Sequence, residues 1–416
     1  MGLGLGAREA ASGGIEERTF EAVWSSVAES YYDASFGGLD WDAVGREYRE
    51  RLKAAQNRSE LRKLLNEMLR ELGESHIGIL SGAYDELAEE PVWLGGDARV
   101  DLCYAGPELV FYRVDADGAG YQAGIRAGDR IESLDGVSVA EMLESVQASG
   151  LPEYLWRYTA LQRALFRFRA RPGDEVSVMA VDPQGRRKAC QVRLEPYEGP
   201  FTERFGNFGE IPYSFSFETR SDGISVMRFS LWFPAVMAEV RRALREMPES
   251  ARGLVIDLRG NPGGVGFMAT GLAGMLVDQR VNLGTTRMRE GHLNFQAYPQ
   301  PNAYLGPVAV LVDEGSCSTS EIFAAGLQEA GRARVFGHAT PGAALPSVVM
   351  RLPNGDFLQM ATGDFETPGG RSLEGVGVAP DEFVSISPVD LSKGNDTVLH
   401  AALGWISQLN PETYEN

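Results

Sequence analysis

Four short segments of this chain hold residue types that suit nucleophilic attack on a carbonyl. From Val308 to Gln328 a β-rich apolar run enters the hydroxyl-rich turn Ser316-Cys317-Ser318-Thr319-Ser320, and a helix leaves it. A serine hydroxyl at a helix N-terminus sits where backbone N–H groups and the helix dipole favour negative charge, which an oxyanion requires. The same pattern describes an ordinary N-cap, so the turn alone names no nucleophile. From Val255 to Gly264 an apolar strand ends in Asn261-Pro262-Gly263-Gly264. That turn offers unobstructed N–H groups to an anion, and no Gly-Lys-Ser/Thr follows that would make it a phosphate loop. His76 follows a helix stop directly and has Ser75 as its neighbour. Of the four histidines, the others being His292, His338 and His400, it is the one placed as a proton acceptor for a serine. Glu374 lies in a Gly-rich turn that can aim its carboxylate inward or leave it solvated.

The elements that must position these groups differ along the chain. Residues 1–14 are Gly/Ala-rich and read as disordered. Residues 15–90 read as a helical domain: Leu61, Leu64, Leu65, Met68, Leu69 and Leu72 fall at helical spacing, with Ser59 as N-cap, Gly73 as the stop and a strand at Ile77 to Leu80. Trp24, Tyr31, Tyr32, Phe36 and Trp41 supply aromatic core to such a bundle. Residues 91–197 read as β-rich, with strands at 109–114, 175–181 and 189–194 around turns such as Asp182-Pro183-Gln184-Gly185. Ala123 to Val139 closely resembles the helix-to-strand segment of a PDZ domain, and the helical insert from Glu141 to Arg169 departs from a minimal one. Residues 198–416 alternate strands and helices, as in 224–229, the helix with Val236, Val240 and Leu244, and 253–258, which predicts an α/β layered domain.

The bulk numbers exclude several classes. With 416 residues, 44% apolar and 23% charged, the chain is a multidomain globular protein. A net charge of −19 argues against nucleic acid and anionic membrane surfaces as partners. Cys103, Cys190 and Cys317 are too few and too scattered for a disulfide framework or a zinc site, so no metal or other cofactor is expected. No stretch reaches the roughly 20 apolar residues of a membrane span. The first residues carry no signal-peptide h-region and no myristoylation signal as written, which leaves the compartment open between bacterial cytoplasm and, for a trimmed chain, periplasm.

The ordered set of segments resembles the S41 peptidases, which include the C-terminal processing proteases and the tricorn core protease. It runs through the helical bundle, Ser75-His76, the PDZ-like region, Asp257-Leu-Arg-Gly-Asn-Pro-Gly-Gly264, the Ser-x-x-Glu turn, Gly337-x-x-Thr-x-Gly342 and Glu374-Gly-Val-Gly-Val-x-Pro-Asp381. The resemblance spans about residues 15 to 390 and implies an α/β fold of the crotonase-like S41 type. It places the nucleophile three residues before Glu321, at Ser318, with Ser316 and Ser320 as the neighbouring rivals. Processing proteases pair that serine with a lysine just after the Gly-x-x-Thr-x-Gly motif. Here that position is Ala343, and no lysine occurs between Lys188 and Lys393. The resemblance therefore implies the tricorn-like arrangement, with His76 as base, Ser75 as its hydroxyl partner and Glu374 as the orienting carboxylate. The oxyanion donors it implies are the N–H of Thr319 and of Gly263, or else of Gly264.

The expected activity is serine endopeptidase action on a peptide or protein through an acyl-enzyme, with no added cofactor and with homo-oligomerisation open. The PDZ-like module is expected to bind a peptide terminus or gate the cleft by strand addition. The alternative is a non-catalytic binder of a hydrophobic ligand or peptide. A lipase-type elbow fits less well, because the serine turn lacks the glycines of Gly-x-Ser-x-Gly.

Overall fold

The computed structural model describes residues 14–81 and 93–409. The Gly/Ala-rich stretch read as disordered lies outside them but for Gly14.

The central sheet has six strands, in the order Phe215–Thr219, Ile224–Phe229, Gly253–Asp257, Val308–Val312, Arg334–Gly337 and Glu382–Phe383. The first pair is antiparallel and the rest are parallel. Gly253–Asp257 and Val308–Val312 are buried at every position. Helices on both faces explain why these strands read as continuous apolar runs instead of alternating ones. The helices Pro234–Glu246, Phe267–Gly274 and Thr319–Glu329 share one apolar core, and Thr397–Gln408 closes a second core on the other side. The Gly-rich turn and the serine turn leave the carboxyl ends of two adjacent parallel strands, where open α/β sheets place their sites.

The N-terminal part holds the helices Ile15–Ser30, Trp41–Leu52 and Arg58–Arg70. The third is capped by Asn57 and not by Ser59: Asn57 has extended backbone, and its side chain accepts the Glu60 N–H at 2.9 Å. Ser59 thus sits inside the first turn. Gly73 takes φ +70, as the helix stop requires. The following strand, Gly78–Leu80, pairs with Phe357–Ala361, which in turn pairs with Ser347–Arg351. Leu345, Leu352, Leu358 and Met360 pack in one core with Phe20, Val23, Leu65 and Met68. Arg62 and Arg58 both reach the buried Asp356 carboxylate, at 3.1 and 2.6 Å. The helical bundle is therefore completed by a hairpin from far along the chain.

The middle module is a sheet in the order Val100–Ala105, Glu108–Val114, Arg130–Leu134, Glu175–Val181, Arg187–Arg193, with Val137–Ser138 beside the third strand. The expected helical insert forms two helices, Val139–Gln147 and Trp156–Arg167. Cys103, Val110 and Tyr112 of this sheet pack with Val255, Leu311, Phe336 and the C-terminal helix, which seats the module on the central sheet. All three cysteines are free and buried.

Candidate active site

Ser318 is the N-cap of the helix Thr319–Glu329 and holds φ +57, ψ −116, a conformation uncommon for a residue with a Cβ. Such strain persists only where the surroundings over-determine it. Here they do. The Ser318 N–H donates to Ala343 O (3.0 Å) and to Glu321 Oε2 (2.9 Å). Cys317 N–H donates to Asn261 O at 3.0 Å, tying the serine turn to the Gly-rich turn. A Cβ on Gly263 would stand 2.7 Å from the Ser318 Cβ and 3.1 Å from the Thr319 nitrogen, so only glycine lets the two turns approach this closely.

The rival serines are committed elsewhere. Ser316 Oγ donates to Leu258 O (2.9 Å) and accepts the Asp313 N–H (2.9 Å). Ser320 Oγ accepts from Trp232 Nε1 (2.9 Å) and donates to Asn261 O (3.1 Å). Both are fully buried, whereas Ser318 is half-buried.

Glu321 is fully buried, and it accepts from Thr340 Oγ1 (2.5 Å), Gly342 N–H (2.7 Å), Ala343 N–H (3.0 Å) and Ser318 N–H. Burial raises its carboxyl to about 7, against the pull of these donors. It fixes the 340–343 loop against the serine turn. Ala343 packs with Cys317 and Leu155.

Glu374, Ser75 and His76 form a continuous chain. Ser75 N–H and Oγ–H donate to Glu374 Oε1 (2.8 Å) and Oε2 (3.0 Å), and Ser75 Oγ lies 2.8 Å from His76 Nδ1. Because the Ser75 proton is used on Glu374, Nδ1 is the donor and Nε2 keeps its lone pair. His76 also has positive φ, +51. Desolvation holds its imidazole well below the ordinary value, at about 4, so it is neutral at pH 7. Burial raises the Glu374 carboxyl, opposed by Tyr154, Ser75 and Ala344. Ala344 N–H donates to Glu374 Oε2 at 3.1 Å, one residue from the carbonyl that accepts the Ser318 N–H. The Glu374–Ser75–His76 chain and the serine turn thus meet at residues 343–344. No hydrogen bond joins Ser318 to His76 themselves. His292 and His400 are exposed, and His338 faces Glu314 at 3.3 Å.

Of the expected oxyanion donors, Gly263 N–H donates to Asn261 Oδ1 at 2.9 Å in this structure. Thr319 is the first helical residue, where an N–H lacks an intrahelical acceptor. Gly264 O accepts from Thr319 Oγ1 at 3.0 Å, which keeps that glycine beside the same helix end.

Two groups of the site had no local signal in the sequence. Tyr154, from the insert of the middle module, donates to Glu374 Oε1 at 2.5 Å. Glu74 accepts from both Tyr31 and Tyr32, anchoring the segment that carries Ser75 and His76. Tyr154 sits in no motif, and Glu74 adjoins Ser75-His76 without any role of its own being legible there.

Family models match in three places. Residues 223–384 match peptidase family S41, residues 17–70 the tricorn protease C1 domain, and residues 110–149 a PDZ domain. A carboxyl-terminal-processing protease of Picosynechococcus sp. is 24% identical over 405 residues, covering 93% of this chain and 88% of that protein. One from Synechocystis sp. is 25% identical over 397 residues, covering 93% and 86%. Among solved structures, a photosystem II D1 C-terminal processing protease has a TM-score of 0.59 at 21% identity, covering 90% of this chain and 94% of that one. The tricorn protease has a TM-score of 0.54 at 18% identity, covering 95% of this chain and 37% of that one. These two likenesses show the fold.

Proposed function

The chain belongs to peptidase family S41 and is a serine-type peptidase, and from that premise we propose that it hydrolyses peptide bonds through Ser318, His76, Ser75 and Glu374 rather than through a serine–lysine dyad. The observation that carries this is the unbroken Glu374–Ser75–His76 hydrogen-bond chain, together with alanine where a processing protease has its lysine. In the proposed cycle His76 Nε2 takes the Ser318 proton as Oγ attacks the scissile carbonyl. The Thr319 N–H, with an N–H of the Gly263–Gly264 turn, holds the oxyanion. His76 then protonates the leaving amine as the C–N bond breaks, and water releases the acyl group by the reverse sequence. Glu374 acts through Ser75, holding the useful tautomer and favouring the imidazolium as it forms. Proton transfer needs about 2.6–3.2 Å between Oγ and Nε2, a contact that often tightens only with substrate bound.

The division of the chain at about residues 15–90, 91–197 and 198–416 belongs to the same proposal, with the middle module controlling access for a peptide terminus.

A fluorophosphonate probe tests the assignment. Wild type is expected to be labelled on Ser318 and Ser318→Ala to remain unlabelled. Label on Ser316 or Ser320, or none on the wild type, would favour another nucleophile or the non-catalytic binder.

The low basicity of His76 sets a second expectation. A neutral imidazole persists well below the ordinary histidine value of 6.5, so the acid limb of kcat/KM should fall below that pH. A limb at or above 6.5, measured on a quenched fluorescent peptide, would argue against His76 in this environment as the base.

A further inference from the structure

The middle module does more than adjoin the site, because one of its side chains enters it. Residues 151–158 lie across the serine turn. Leu155 packs in one apolar cluster with Cys317 and Ala343, flanked by Leu151, Tyr154 and Tyr158. Arg157 donates to Glu314 Oε1 at 2.7 Å, and Glu314 stands two residues before Ser316 of the turn. Between these anchors the Tyr154 hydroxyl donates to Glu374 Oε1.

We propose that Tyr154 is a positioning residue for hydrolysis: from the middle module it holds the Glu374 carboxylate that orients Ser75 and His76, so the catalytic assembly is complete only with the 151–158 segment seated. The inference rests on the Glu374–Ser75–His76 assignment above.

The Glu374 carboxylate has four donors, two on each oxygen. Oε2 takes Ser75 Oγ–H and Ala344 N–H, while Oε1 takes Ser75 N–H and Tyr154 O–H. Tyr154 is the one donor supplied from outside the catalytic and N-terminal parts. Its own ionisation is pushed far up by burial and by the Glu374 charge, so it remains a donor at any working pH. The carboxylate needs that donor. Among the described residues it is buried beside Glu74, whose own carboxyl is raised by burial and which faces Asp364 beyond, and beside Cys317; the neutral His76 ring is reached through Ser75. None of these supplies a positive charge at neutral pH. Without the Tyr154 hydroxyl, Glu374 would take up a proton at higher pH and lose its grip on the Ser75 hydroxyl.

The test is the pH dependence of fluorophosphonate labelling in wild type, Tyr154→Phe, Glu374→Gln and the double variant. Tyr154→Phe is expected to label about tenfold more slowly at neutral pH, the loss of one hydrogen bond to a charged group. Its acid limb should move to higher pH, and the change should add little to Glu374→Gln. A wild-type rate in Tyr154→Phe would overturn the inference, as would a uniform slowing with the limb unmoved or full additivity with Glu374→Gln. If Glu374→Gln itself labels like wild type, the tetrad assignment fails and this inference falls with it. An impaired Glu374→Gln beside an unaffected Tyr154→Phe sinks only the present one.

Discussion

His76→Ala is expected to lower kcat by roughly 10⁴- to 10⁶-fold, the scale on which loss of a triad base acts. Two independent features motivate that expectation. Its Nδ1 is held by Ser75, itself held by Glu374, so the free nitrogen is Nε2. Its backbone adopts φ +51, a conformation whose cost of about 1–3 kcal/mol must be offset by its surroundings. Ala343→Lys in the His76→Ala background should not restore turnover. The slot is closed over by Leu155 and Cys317, and the 342 and 343 N–H groups are fixed on Glu321. Steady-state turnover of a quenched peptide decides the matter. A His76→Ala enzyme within tenfold of wild type would remove the proposed mechanism, and rescue by the lysine would point to a latent serine–lysine dyad.

The second large effect concerns stability. Arg259, in the Asp-Leu-Arg-Gly-Asn-Pro-Gly-Gly motif, is buried between two carboxylates. Its Nε and Nη2 donate to Asp257 at 2.8 Å each, and its Nη1 and Nη2 donate to Asp396 at 3.0 and 2.7 Å. Arg228 approaches Asp257 at 3.4 Å and reaches Asp101 of the middle module at 3.1 Å. Arg259→Leu leaves Asp257 and Asp396 without their shared cation and should cost about 3–5 kcal/mol, read by denaturant unfolding at neutral pH. Arg259→Lys should recover only part of it, since a single ammonium cannot reproduce the two-carboxylate fork. Burial pushes the Asp257 carboxyl up, but Arg259 and Arg228 outweigh it and hold the group well below the carboxylate range. Its contribution is therefore present above the unfolded value of about 3.9 and is lost as pH falls further. The gap between wild type and Arg259→Leu should narrow in strong acid. A difference under about 1 kcal/mol at neutral pH would mean that the network is not part of what holds the sheet end together.

This motif shows how far local pattern reaches. Its apolar run and glycines announce a buried strand and a tight turn, and the chain builds both. That its arginine also pairs with Asp396, 137 residues away, has no local signature.

Periodicity and cap chemistry are properties of neighbouring residues, so they are legible in the sequence. The helical character of residues 15–72, the strands 224–229 and 253–257 and a helix leaving the hydroxyl-rich turn follow from them, and the alanine at 343 is plain from the order of residues. Even there the choice between Asn57 and Ser59 as a cap turned on backbone angles that composition does not specify. Packing between distant segments decided the rest. The hairpin of residues 347–361 completes the N-terminal core because Gly78–Leu80 needs a strand partner and the bundle needs an apolar cover. Ser316 and Ser320 are set apart from Ser318 only by burial and by their bonds to Leu258 and Asn261. The Gly263 N–H turns to the Asn261 side chain, a preference that no glycine pattern encodes. Ser75 and Glu374 meet across 299 residues, and Tyr154 and Glu374 across 220. Residue types and their order supplied the candidate chemistry; the burial and donor count that give each candidate its protonation state exist only once distant segments exclude water around it.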